Sequence, residues 1–192
     1  FDYKLPKVSS EAFIKNQLDL YGLACNADCI SKIATVCDLF LRQQEQLIRH
    51  FVILLKQEPK YKETLEAVVF LLCLRLTNNV WYEKIKNDKE TKPDFVRNIF
   101  GSNYDKYQED DIYKNSYAFF IYTYCKRRNT VGSSNIKEFL KGSTSYESWH
   151  LEFIHFGESD TGNIYQFIKF LYDNKYDCDD LFNLIELKGG II

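Results

Sequence analysis

Apolar residues recur every three or four positions through most of this chain, the mark of helices with one buried face. One stretch departs from that rhythm by being apolar at every position, Ala67 to Leu74 within KYKETLEAVVFLLCLRLTNNV. A helix that is apolar all round has no face to offer water and belongs in the middle of a fold. The run has eight residues, against the roughly 20 that a membrane-spanning helix needs. Lys60, Lys62, Glu63 and Glu66 precede it and Arg75 follows it. Residues 60–80 therefore read as a central buried helix, not as a membrane span.

The neighbours of this stretch read as its cover. Residues 1–8 form an extended lead-in, because Pro6 biases Leu5 away from helix. Ser9 or Ser10 caps a first helix over Phe13, Ile14, Leu18 and Tyr21, and Gly22 ends it. Over residues 26–57, Ile33, Cys37, Phe40, Gln44, Leu47, Phe51 and Leu54 are spaced 4, 3, 4, 3, 4, 3, which predicts one long helix with a heptad seam. Val36, Leu41, Ile48 and Leu55 widen the seam into the stripe of a bundle helix. Gln44, polar in that seam, is either a satisfied amide or a residue that sets the register of a partner helix. Glu58-Pro59 stops the pattern, so this helix and the central one are expected to be antiparallel neighbours across a short loop.

Pro93 suits the first turn of a short helix that Gly101 stops. The stretches 86–94, 101–108 and 129–134 read as loops. Residues 109–128 carry acids first and bases last, in keeping with a helix dipole. Beyond residue 135 the pattern weakens. Residues 135–141 make a short helix. Thr144 and Glu147 fit a capping box opening a helix over 149–156, although Trp149, Leu151 and Phe153 also alternate as a strand would. Residues 157–163 read as a turn. Ile164, Phe167, Ile168 and Leu171 follow as an amphipathic helix. Asp177 or Asp179 caps the last helix, and 189–192 is a tail. The expectation is an all-α fold, one domain over 1–192, with about eight helices around 60–80 and a C-terminal third that is a candidate subdomain.

Composition narrows the function classes. Fifteen Phe and 14 Tyr make the chain 16% aromatic, so an aromatic residue needs no functional reason to be present. A formal charge of −2 disfavours a nucleic-acid binder, which shows a basic excess. The six cysteines, Cys25, Cys29, Cys37, Cys73, Cys125 and Cys178, fit three disulfides or six packed thiols. There is no Cys-x-x-Cys pair for a zinc ribbon. A chain opening on Phe1 reads as processed or trimmed, and no N-glycosylation sequon is present. The compartment stays open between extracellular and cytoplasmic.

Catalytic and metal motifs are scarce. His150, Glu152 and His155 spell H-x-E-x-x-H, but histidines five apart on a helix point about 140° from each other and do not converge on one ion. Asp173, Asp177, Asp179 and Asp180 fail as a calcium loop, because Cys178 and Leu184 stand where glycine and the bidentate glutamate belong. Neither a nucleophile elbow nor a glycine-rich phosphate loop occurs. No enzyme activity, cofactor or metal is expected.

Three functions remain. The first is a non-enzymatic helical module that binds a protein partner, with Tyr104, Tyr107, Tyr113 and Tyr117 as a surface patch, since Tyr is enriched at interfaces. The second is a secreted helical carrier of a small apolar ligand, braced by disulfides. The Cys25–Cys29 spacing resembles the close cysteine pair of some insect helical carriers, while the other cysteines depart from that pattern. The third is a binder of anionic surfaces, nucleic acid or lipid head groups, through Lys126, Arg127 and Arg128 with Tyr122 and Tyr124 upstream.

Overall fold

The structure, a computed structural model, describes residues 10–88, 95–127 and 158–189. Every regular element among them is helical. In order they are α1 (Ser10–Leu20), α2 (Ala27–Val36), α3 (Leu41–Gln57), a 3₁₀ turn (Pro59–Thr64), α4 (Leu65–Thr77) and α5 (Asn79–Asn87). Then come α6 (Phe95–Phe100), a 3₁₀ turn (Gly101–Asn103), α7 (Tyr104–Tyr107), α8 (Asp111–Arg127), α9 (Glu158–Asp173) and α10 (Cys178–Gly189). The all-α bundle expected from the pattern is what the chain forms.

The stretch that is apolar all round is the centre. Leu65 and every residue from Ala67 to Leu74 are buried, and α4 packs against α2, α3, α5 and α8. Each such Val, Leu or Phe side chain gains about 2 kcal/mol on leaving water. Phe70 gathers rings from three sides: Phe95 and Phe100 of α6 at 6.4 and 6.0 Å, and Phe120 of α8 at 6.0 Å. The expected helix over 60–80 is nonetheless three pieces. Pro59 opens a 3₁₀ turn ahead of α4. Asn78 then leaves helical geometry, and its side chain accepts the Trp81 N–H at 3.3 Å to start α5. A short polar side chain that bonds its own backbone competes with helix continuation.

The single helix expected over 26–57 is also broken. The chain turns at Asp38, which has φ 53°, and α3 begins afresh at Leu41. The heptad spacing holds across the break only in the sequence, since Phe40 of the seam is 78% exposed. Gln44 is the satisfied amide of the two readings. It is buried, accepts the Ser10 hydroxyl at 3.0 Å and donates to the Leu39 carbonyl at 3.0 Å. Residues 158–163, read as a turn, belong to α9. Acidic residues early in a helix suit its dipole, and a single glycine costs only about 1 kcal/mol.

The C-terminal helices dock on the rest: α9 on α8, and α10 on α3. Asp177 caps α10 by accepting the Asp179 N–H at 2.8 Å. The predicted elements at 1–8, 129–134, 135–141 and 149–156, including His150, Glu152 and His155, lie outside the described residues.

Candidate functional site

The end of the molecule where α2 turns into α3 and α4 into α5 holds an open groove of about 520 Å³. Local chemistry builds both turns. At the end of α2, Asp38 donates to the Thr35 carbonyl at 3.1 Å and Leu39 to the Ala34 carbonyl at 2.9 Å. These are the two bonds of a Schellman motif, with Asp38 in the left-handed position that such a motif requires. Buried Cys37 and Leu39 hold the turn on either side. The next turn of chain is tied by Gln43, whose side chain accepts the Phe40 N–H at 2.9 Å and donates to the Leu76 carbonyl at 3.3 Å. That second bond joins the start of α3 to the end of α4.

One wall of the groove is Trp81. Phe95 stacks on it with centroids 5.7 Å apart and a 27° interplanar angle. The Lys84 ammonium stands 4.9 Å from the ring centre. Leu76, Ile99 and Asn98 complete much of the lining, with Asp38 as its charged residue. Two large apolar side chains of these turns are exposed. Phe40, part of the lining, is 78% exposed, and Val80, next to Trp81 in the chain, is 80% exposed.

A second recess of about 380 Å³ lies where α2 and α4 meet the start of α8, lined by Asp28, Lys32, Glu66, Glu109, Asp110 and Asp111 among others. Its charges are largely used within the molecule. Lys32 bridges Asp28 at 2.8 Å and Asp110 at 2.9 Å, and Lys114 reaches Glu109 at 3.0 Å. Burial pushes the Asp110 carboxyl up, but the Ile112 N–H and the Lys32 ammonium outweigh it and hold the group below its ordinary range. Burial raises Glu66. Among the described residues no group of three or more His, Cys, Asp or Glu side chains is arranged to hold a metal.

The tyrosine patch expected at 104–117 is not a surface. Tyr107, Tyr113 and Tyr117 are buried and Tyr104 is half-buried. Tyr113 packs edge-on against Phe100 and Tyr104, each at 5.1 Å, and stacks with Tyr117 at 5.7 Å. A phenol is mostly apolar area, and these rings are spent on the core between α6, α7 and α8.

The basic cluster is likewise engaged. Lys126 donates to the Tyr176 carbonyl at 2.9 Å and to Asp177 at 2.6 Å. Arg127 donates to the Ile85 carbonyl at 2.6 Å and pairs with Asp179, and its side chain is 7% exposed. These two cations fasten α8 to α5 and to the turn before α10, which leaves little charge for an outside anion. Arg128 lies outside the described residues. The five cysteines whose side chains are described, Cys25, Cys29, Cys37, Cys73 and Cys178, are free thiols, so the three-disulfide brace of the carrier reading is not formed.

The groove itself was missed by sequence reasoning. In the sequence Phe40 falls within a helical seam, and no motif marks a turn whose left-handed residue is aspartate. The chain matches no protein-family model, no curated protein and no solved structure.

Proposed function

We propose that this chain is a non-enzymatic helical interaction module whose groove between the α2–α3 turn, the α4–α5 break and α6 receives a segment of a protein partner. The observation that carries this reading is the placement of Phe40 and Val80. Phe40 holds the N-cap position of α3, where Ser, Thr, Asp or Asn is preferred, and Gln43 performs the capping there. Val80 lies in the first turn of α5 with its side chain in water. Both side chains are left in solvent; Phe40 lines a groove with a fixed indole wall, and Val80 directly precedes that indole in the chain.

Aromatic side chains around a preformed recess are common anchors of an interface, and Phe40 and Trp81 both line this one. Trp81, in contact with Phe95 and Lys84, requires little ordering on binding, which limits the entropic cost of association. The test is affinity capture from the source cells, comparing the native chain with a Phe40→Ser/Val80→Ser double variant. Both positions are exposed, so the variant should keep its unfolding midpoint within about 0.5 kcal/mol. A partner retained by the native chain should be lost or bound at least tenfold more weakly by the variant. Identical sets of retained proteins would overturn the proposal.

A further inference from the structure

Resting on that reading, we infer that the groove's occupant is a polypeptide segment carrying a lysine or arginine beside the apolar side chain that packs on Trp81. Among the described residues lining the groove, Asp38 is the charged one. Its carboxylate is exposed, and no ion pair or side-chain hydrogen bond engages it among the described residues. The backbone beneath it is fixed by the Schellman bonds and by buried Cys37 and Leu39, so the charge stands at a set place.

Aspartate is among the residues that tolerate the left-handed position, but the turn does not require its charge. Glycine or asparagine serves a left-handed helix terminus as well or better. A carboxylate at the edge of an otherwise uncharged groove selects for a cation and against an acidic segment. The Lys84 ammonium sets the order of the two contacts. It stands over the Trp81 ring and disfavours a second cation near it, so the incoming base belongs at Asp38 and the apolar residue against the part of Trp81 that lines the groove. The Asn98 amide, exposed and without a hydrogen-bond partner among the described residues, offers both a donor and an acceptor to a peptide bond of the segment.

Selection of random dodecapeptides displayed on phage against the whole chain tests this, with the Phe40→Ser/Val80→Ser variant as counter-selection. Enriched peptides should share a Lys or Arg within two positions of an aromatic or branched apolar residue. Synthetic copies should bind Asp38→Asn up to about fivefold more weakly, the scale of an exposed ion pair. Binding to Asp38→Lys should be weaker still, and binding to the native chain should fall as salt is raised. Asparagine tolerates the left-handed conformation, so Asp38→Asn keeps the turn. Peptides that need Phe40 and Val80 but bind Asp38→Lys as tightly as the native chain would overturn the inference and leave the groove reading standing. No enrichment above the counter-selected variant would overturn the groove reading itself.

Discussion

His50 shows how a residue's chemistry follows from its surroundings. It lies on α3, and neither ring nitrogen, both buried, has a hydrogen-bond partner among the described residues. Burial, and then the Arg75 guanidinium, push its pKa below the ordinary 6.5. As pH falls, the unfolded chain takes up this proton before the folded one does. Stability from the neutral ring is therefore complete above about pH 6.5 and is lost as pH drops toward the folded value. Asp110 and Asp177 are both held below their ordinary value, so they stay ionised from pH 7.5 to 5.5. Glu66, raised by burial, acts with the opposite sign and is common to both proteins compared. The expected result is that His50→Leu loses less stability than the native chain between pH 7.5 and 5.5. It should also be roughly 1 kcal/mol more stable at pH 7.5, having shed unpaired buried nitrogens. Urea unfolding at the two pH values checks both, and parallel losses in the two proteins would refute the assignment. None of this was legible in the sequence, where His50 has no distinguishing neighbour.

Among the elements, the helix ends separate what was readable from what was not. Three helices finish in the same pair of bonds. Gly22 and Leu23 donate to the Asp19 and Leu18 carbonyls, Asp38 and Leu39 to those of Thr35 and Ala34, and Lys175 and Tyr176 to those of Tyr172 and Leu171. The left-handed residue is Gly22 in the first, Asp38 in the second and Lys175 in the third, with φ of 67°, 53° and 53°. Only the glycine announces itself, because it alone adopts positive φ at no steric cost. At the other two, burial of the next residue, Leu39 or Tyr176, outweighs a penalty of about 1 kcal/mol. Lys175 is exposed, so Lys175→Gly removes that strain and little else. Its unfolding free energy should rise by about 0.5 kcal/mol, the strain relieved less the added entropy of an unfolded glycine. Chemical denaturation measures it, and a loss of stability would mean that the lysine side chain does more than its exposure indicates.

At the scale of the whole molecule, the thiols report on the core. Cys73 is fully buried on α4 and hydrogen-bonds with Cys37, and burial raises its pKa well above that of a free thiol. Cys178 is buried, and its pKa is pushed up to about 12 by burial. Buried thiols with raised pKa react slowly. Half-buried Cys25 should therefore be labelled by a thiol reagent well before Cys29, Cys73 and Cys178, which should react only on unfolding. Mapping the labelled cysteines by mass spectrometry before and after urea decides it. Rapid native labelling of Cys73 would contradict the packing around α4.

Periodicity alone was enough to establish the helical class and the buried run from Ala67 to Leu74, since each follows from how much apolar surface a segment must hide, whereas Gln44 was decided only by its bonds to Ser10 and Leu39. Direction in space was not available from periodicity. Whether Tyr113 and Tyr117 face water or each other, and whether Lys126 and Arg127 meet an outside anion or the carbonyls of α5 and the turn before α10, depends on what packs opposite. Phe40 fitted a seven-residue repeat, and folding placed it in solvent, because the helix containing that repeat breaks at Asp38. The groove exists because two breaks, at Asp38 and Asn78, come to the same end of the bundle. Such a meeting is set by long-range packing, which no local pattern encodes.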